Sequence, residues 1–282
     1  MPQRLADLLP SPRPLIGMVH ARALPSSPRS SLPIAEIERL AVEEARRLAG
    51  AGFDALILEN MHDTPYLHGD RLPPITVATM TRLALAVRDA VTVPLGIQIL
   101  SGGNRHALAV AHAAGLGFIR CENFAYAHVA DEGLLTEAEA PALLRDRAAI
   151  GVSGGVSVGA SGVRVFADIK KKHASHALTA DLSLADAARG CDFFGADGLI
   201  VTGPSTAMPA DPADLAEAKN ATALPVLVGS GVTPDTLPAL FEHADACIVG
   251  SFLKVDGLWS NELDPARLKA ITDARDAIAE SR

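Results

Sequence analysis

The sequence predicts a closed (β/α)8 barrel, an α/β fold of eight parallel strands each followed by a helix, and three observations predict it. Eight short apolar runs alternate with stretches of helical spacing within about 250 residues, the usual size and count for such a barrel. Central runs such as Phe118-Ile119-Arg120-Cys121-Glu122-Asn123 begin apolar and end polar, as strands do when they open on a polar mouth. Connections from helix to strand are short, as in Gly52-Phe53-Asp54, whereas several from strand to helix are long, so one face carries function. An open doubly wound sheet is the alternative, but its first turn needs Gly-x-Gly-x-x-Gly and His20-Ala21-Arg22 lacks it.

Residues 1–14 form an N-terminal extension, and residues 1–282 are read as one barrel domain. Leu15 to His20 is the first strand. Ile34 to Ala49 repeats apolar residues at helical spacing, and Gly50 and Gly52 end it. Ala55 to Asn60 is strand two, followed by a helix over roughly 75–89. Strand three starts at Leu95, and Asn104 caps its helix. Strand four starts at Phe118 and precedes a loop to Leu135, then a helix from Thr136. The Gly/Ser-rich run 151–162 is an insertion before strand five; without Gly-Lys-Ser/Thr it is no P-loop. Strand five runs from Arg164 to Lys170, strand six from Gly198 to Gly203, strand seven from Val226 to Gly229. Thr233 and Pro234 read as N-cap and first residue of the next helix. Strand eight is Ala246 to Ser251, and Pro265 begins the last helix.

Composition narrows the function. With 49% hydrophobic and 21% charged residues the chain buries a sizeable core rather than staying disordered. A net charge of −8 without a basic, aromatic-interleaved cluster argues against nucleic acid. Cys121, Cys191 and Cys247 are odd in number and far apart, which fits buried thiols in a reducing compartment. There is no secretory signal and no apolar run long enough to span a membrane, so a cytoplasmic protein is expected. The oligomeric state, a homo-oligomer included, stays open.

Alternation along each strand selects the side chains at the mouth. Pointing Arg120 and Glu122 outward would bury both charges against aliphatic helices, so they point inward. The same parity turns Asp168, Lys170, Glu59 and Gln98 inward, with His20 and Thr202 beside them. Three carboxylates close together raise one another's pKa, which suits general acid–base work by Glu59, Glu122 and Asp168. The same three are a candidate Mg2+ site. Lys170 is a candidate to polarise a carbonyl or form a Schiff base. Arg120 and Lys170 pairing with the carboxylates as a structural network is the bland alternative. Gly229-Ser230-Gly231 and Gly250-Ser251 follow strands seven and eight, where barrels of this type hold phosphate on backbone N–H groups. Lys254 adds charge nearby. His62, His68, His128, His173 and His176 lie on mouth-side loops, and no His-Glu-x-x-His spacing supports a zinc site.

The runs Leu15–His20, Leu58-Glu59-Asn60 with His62-Asp63, and Asp168-Ile169-Lys170-Lys171-Lys172-His173-Ala174 together resemble the BtpA/SgcQ family, and Gly198–Gly203 and Gly229–Pro234 agree. The resemblance covers nearly the whole chain and implies a ribulose-phosphate-binding type of TIM barrel. It implies a phosphate pocket as well, and Gln98, Arg120, Asn123, Thr202 and His173 at the mouth are the candidate contacts for a phosphorylated small molecule. A phosphoribosylanthranilate isomerase label is often attached to such proteins. That isomerase resembles a barrel with a Cys base ending strand one and an Asp acid at strand six, where this chain has His20 and Thr202. The expected function is therefore acid–base chemistry on a phosphorylated sugar or ribosyl phosphate, by glycosidic C–N cleavage or isomerisation. The alternative is a non-catalytic assembly factor for a membrane complex, since one cyanobacterial branch is associated with photosystem I.

Overall fold

The computed structural model describes residues 3–151 and 162–280, so residues 152–161 of the Gly/Ser-rich run lie outside the described residues. Its strands are β1 (Leu15–His20), β2 (Ala55–Glu59), β3 (Leu95–Gln98), β4 (Phe118–Cys121), β5 (His128–Ala130), β6 (Gly133–Leu135), β7 (Arg164–Ile169), β8 (Ala174–Ser175), β9 (Gly198–Val201), β10 (Val226–Val228) and β11 (Ala246–Val249). Eight of them close a parallel barrel in the order β1-β11-β10-β9-β7-β4-β3-β2, as the sequence predicts. The helices are α1 (Gln3–Ala6), α2 (Ile34–Gly50), α3 (Pro74–Ala90), α4 (Asn104–Ala114), α5 (Ala140–Ala149), α6 (Leu184–Phe193), α7 (Pro212–Ala221), α8 (Leu237–Leu240) and α9 (Pro265–Glu280).

Side-chain alternation divides the core in two. Leu15, Val19, Leu56, Ile97, Ile119, Val165, Leu199, Val226 and Val249 face the helices. Ile16, Met18, Ala55, Ile57, Phe118, Phe166, Ile200, Leu227 and Ile248 fill the barrel interior. Gly96 and Gly198 make room there, since a Cβ at either would meet the Phe118 or Phe166 ring within 2.7 Å. The N-terminal extension has a structural role: Leu5 and Leu9, both fully buried, close the floor of the interior. Truncating Leu9 to Ala is expected to cost about 2–5 kcal/mol, because its cavity opens beneath a layer that cannot collapse inward. Urea unfolding checks this; a loss under about 1 kcal/mol would mean that the floor repacks.

Three aspartates staple the lower rim. Asp54, Asp197 and Asp245 each precede a barrel strand and accept the first N–H of a neighbour, from Leu15, Val165 and Val226, at 2.8–2.9 Å. Arg275, Arg147 and Lys219 neutralise them from the outer layer.

The structure corrects three sequence expectations above the barrel. The segment expected as a loop after strand four folds into the β5–β6 hairpin and pairs with β8 in a small antiparallel sheet. The following helix consequently starts at Ala140 rather than Thr136. Thr233 and Thr236 exchange N–H to hydroxyl bonds of 2.9 and 3.3 Å, and this local turn delays the expected helix to Leu237.

Candidate active site

The inward parity holds at the mouth. His20, Glu59, Gln98, Arg120, Glu122, Asp168 and Thr202 are all buried, on or just beyond the ends of consecutive barrel strands. Paired registers bring them together: His20 lies opposite Glu59, and Glu59 opposite Gln98.

The acidic groups divide into two kinds. Arg120 donates from Nε and Nη2 to both oxygens of Asp168, at 2.9 and 2.8 Å. Glu122 accepts from Lys171 Nζ at 3.0 Å and from the Gly102 N–H at 2.8 Å. Burial would push the Glu122 carboxyl up, but Lys171, the Gly102 N–H and Arg120 outweigh it and hold it below its usual range. Both carboxylates are thus engaged by basic side chains, Asp168 in a two-pronged pair and Glu122 on a single amine. Among the described residues no three His, Cys, Asp or Glu side chains gather as a metal site, because guanidinium and ammonium groups hold the acids apart.

Glu59 is the exception. Burial raises its pKa, opposed by Arg120 and Lys172 and reinforced by Glu122 and Asp168. Its Oε2 lies 3.6 Å from His20 Nε2. His20 is held well below its ordinary pKa, first by burial and then by Lys254, while burial biases Glu59 toward its protonated form. His20 Nδ1 lies 3.3 Å from the Trp259 carbonyl, which only accepts; Nδ1 therefore carries the proton and Nε2 the lone pair. A carboxyl biased toward its acid form thus faces an imidazole biased toward its base form.

They open into a cavity of about 200 Å3 lined also by Arg120, Lys172, Trp259 and Arg267. Gly229-Ser230-Gly231 and Gly250-Ser251 form another part of its wall. Among the described residues the N–H groups of Gly231, Gly250 and Ser251 find no acceptor in the protein. Gly231 has φ +67°, and a Cβ there would meet Pro209 Cα at 2.1 Å, so only glycine fits. Arg267 stacks on Phe252 at 5.1 Å from the ring centroid. This wall suits an anion of phosphate size.

Other expected residues go elsewhere. The Ser230 hydroxyl bridges the Gly203 N–H and the Met208 carbonyl, so it ties loops together. Thr202 Oγ1 accepts from the Lys172 N–H at 3.0 Å and positions that backbone. Lys170 does not point inward: β7 ends at Ile169, Lys170 takes φ +46°, and its Nζ donates to the Leu182 carbonyl. Asn123 holds the Glu137 carbonyl, and His173 contacts Thr206 at 2.8 Å on the rim; neither lines the cavity. Gln98 is buried with Oε1 unpartnered. Lys254 is buried on Glu44 at 2.6 Å rather than facing a ligand. Lys171, Lys172, Trp259 and Arg267 were not singled out by sequence. Parity from Asp168 through 170 to 172 carried a signal for Lys172; nothing local marks the other three.

Comparison with known proteins identifies the lineage. A family model described as "BtpA family" matches residues 11–277. The chain belongs to the BtpA family. The Photosystem I biogenesis protein BtpA of Synechocystis sp. is 34% identical over 93% of this chain and 87% of its own length. A mitochondrial protein of Caenorhabditis elegans is 40% identical over 94% of each chain. Among solved structures, a thiamine phosphate pyrophosphorylase from Pyrococcus furiosus matches at TM-score 0.57 with 12% identity, covering 97% of this chain and 98% of that one. An N-(5'-phosphoribosyl)anthranilate isomerase from the same organism matches at TM-score 0.55 with 11% identity, covering 94% and 99%. At such identities the likeness shows the BtpA chain's TIM-barrel fold alone. Among the described residues no helix is long and apolar enough to cross a membrane.

Proposed function

We propose that this BtpA-family chain is a cytoplasmic enzyme acting on a phosphorylated sugar or ribosyl phosphate. One observation carries the reading: the Gly231 and Gly250–Ser251 N–H groups and the His20–Glu59 pair line a single cavity. The phosphate rests on the N–H groups beside Arg267, and the sugar extends toward Glu59. Arg120–Asp168 and Lys171–Glu122 are internally neutral pairs, and Glu59 is biased toward its uncharged form, so Lys172 and Arg267 leave the cavity attractive to an anion. Glu59 delivers a proton to a sugar oxygen or leaving nitrogen while His20 Nε2 accepts one. That division of labour serves C–N cleavage and isomerisation alike, and Lys172 beside a sugar carbonyl favours isomerisation. Barrels of the same fold include a thiamine phosphate pyrophosphorylase and an N-(5'-phosphoribosyl)anthranilate isomerase, which is in keeping with a phosphorylated substrate.

The single tryptophan of the chain lies in the cavity wall, so binding is read by its fluorescence. Inorganic phosphate is expected to change Trp259 emission saturably and, at 100 times its Kd, to stabilise the fold by about 2.7 kcal/mol. Gly250→Ala tests the cradle: its Cβ would reach Met18 Cγ at 3.4 Å, an ordinary contact, yet would stand against the anion. Unchanged phosphate affinity in that variant, or no response in the parent, would refute the phosphate site.

A second reading, a non-catalytic assembly factor, rests on the Synechocystis relative, a Photosystem I biogenesis protein. It expects the Glu59→Gln chain to replace the parent fully in that role, which complementation of a strain lacking the protein would decide.

A further inference from the structure

Three consecutive lysines follow β7 and meet three different fates. Lys170 Nζ is engaged by the Leu182 carbonyl, and Lys171 Nζ by Glu122 with Glu132 at 4.0 Å. Lys172 is partly buried and lines the cavity, and among the described residues its Nζ makes no hydrogen bond or ion pair. Its backbone is fixed by Thr202 Oγ1, so the unpartnered amine is held at the site rather than swinging in solvent. Cationic groups that serve as structural anchors are paired here, as Lys171, Lys254 and Arg120 all are. Among the described residues that line the cavity, Lys172 is thus a lysine whose amine is left for something that enters. It also faces Glu59 and His20, the acid and the base that amine addition to a carbonyl requires.

We propose that Lys172 is a nucleophile that forms an imine with the open-chain carbonyl of a phosphorylated sugar. The inference rests on the phosphate reading above and narrows its substrate to a phosphate ester bearing an aldehyde or ketone. The neutral Nζ adds its lone pair to the carbonyl carbon, and the carbonyl oxygen takes the Glu59 proton. His20 Nε2 accepts a proton from the attached nitrogen and returns it to the hydroxyl, which leaves as water. The products are a protonated imine, one water and the Glu59 carboxylate, whose charge then pairs with the iminium. Burial, followed by the neighbouring Arg120, lowers the pKa of Lys172 against the pull of Glu59, Asp168 and Glu122, which enlarges the reactive neutral fraction.

Pyridoxal 5'-phosphate carries both an aldehyde and a phosphate and serves as the probe. The full chain is incubated with it, reduced with borohydride, digested and sequenced by mass spectrometry. The expected result is label on Lys172 in roughly ten-fold excess over Lys170 and Lys171, because their amines are engaged by the Leu182 carbonyl and by Glu122. Pyridoxal without the phosphate should label Lys172 about ten-fold less, since it loses the charge-assisted contacts that hold the anion. Lys172→Arg should lose the label; the distribution of label in the parent decides the matter if that variant does not fold. Label scattered over exposed lysines with Lys172 untouched, while phosphate still alters Trp259 emission, overturns the imine and leaves the phosphate site standing. Label on Lys172 that is indifferent to the probe's phosphate keeps the nucleophile and overturns the phosphate reading.

Discussion

Asp168→Ala is expected to destabilise the barrel by about 3–5 kcal/mol, the usual consequence of stripping one member from a buried ion pair. The Arg120 and Asp168 side chains are 5% and 1% exposed, and the guanidinium spends two donors on the carboxylate. Without Asp168 its charge stays in the interior with Lys172 near it, and Glu59, biased toward its protonated form, compensates poorly for the lost anion. Beneath the pair the Phe118 and Phe166 rings pack the next layer. The double variant Arg120→Met, Asp168→Leu should recover most of the loss, since well-packed apolar groups often equal a buried pair. Urea unfolding of the single and double variants checks both statements. A single variant within about 1 kcal/mol of the parent would show that the pair is hydrated and that the cavity reaches deeper than its walls suggest.

Glu59→Gln should cut turnover by about 10^2- to 10^4-fold on any sugar phosphate found to bind, the usual contribution of one general acid. Stability should move the other way. The folded pKa of Glu59 is raised above the ordinary 4.5, so its contribution is fully present below 4.5 and is lost as pH rises through the folded value. Glutamine has no such loss. The variant should therefore be the more stable at neutral pH, with the difference vanishing in acid. The histidines act with opposite sign: His62 and His128 are pushed down to about 4, mainly by burial, so their contribution is present above 6.5 and lost as pH falls toward 4. His20 shifts in the same direction. Urea midpoints of parent and Glu59→Gln from pH 4 to 8 test this. A variant less stable than the parent at pH 7 would mean that Glu59 is an ionised partner rather than a buried acid.

The barrel and its inward set were legible because both follow from period-two alternation, which needs only the identity of each residue. Placing Arg120, Glu122 and Asp168 inside required one energetic comparison, between a polar mouth and an aliphatic helix layer. Lys170 shows where that reasoning stops. Alternation holds only while the chain is extended, and the left-handed turn at Lys170 is imposed by packing after β7, so the side chain swings to Leu182 and Lys172 takes the cavity. Ser230 fails differently: its position was right, but a hydroxyl takes whichever partners the neighbouring loop presents, here Gly203 and Met208.

By itself the sequence determined the parallel barrel, the face that carries chemistry and the strand ends from which acids, His20 and the glycine loops project. Those depend on local propensity and on the cost of burying charge, which a single chain states residue by residue. Only the tertiary structure decided which carboxylates are neutralised, that Glu59 and His20 meet, and that Trp259 and Lys172 come to them from distant loops. Partnership depends on distances of 3 to 4 Å between residues as far apart as His20 and Trp259, and no spacing along the chain encodes such a distance.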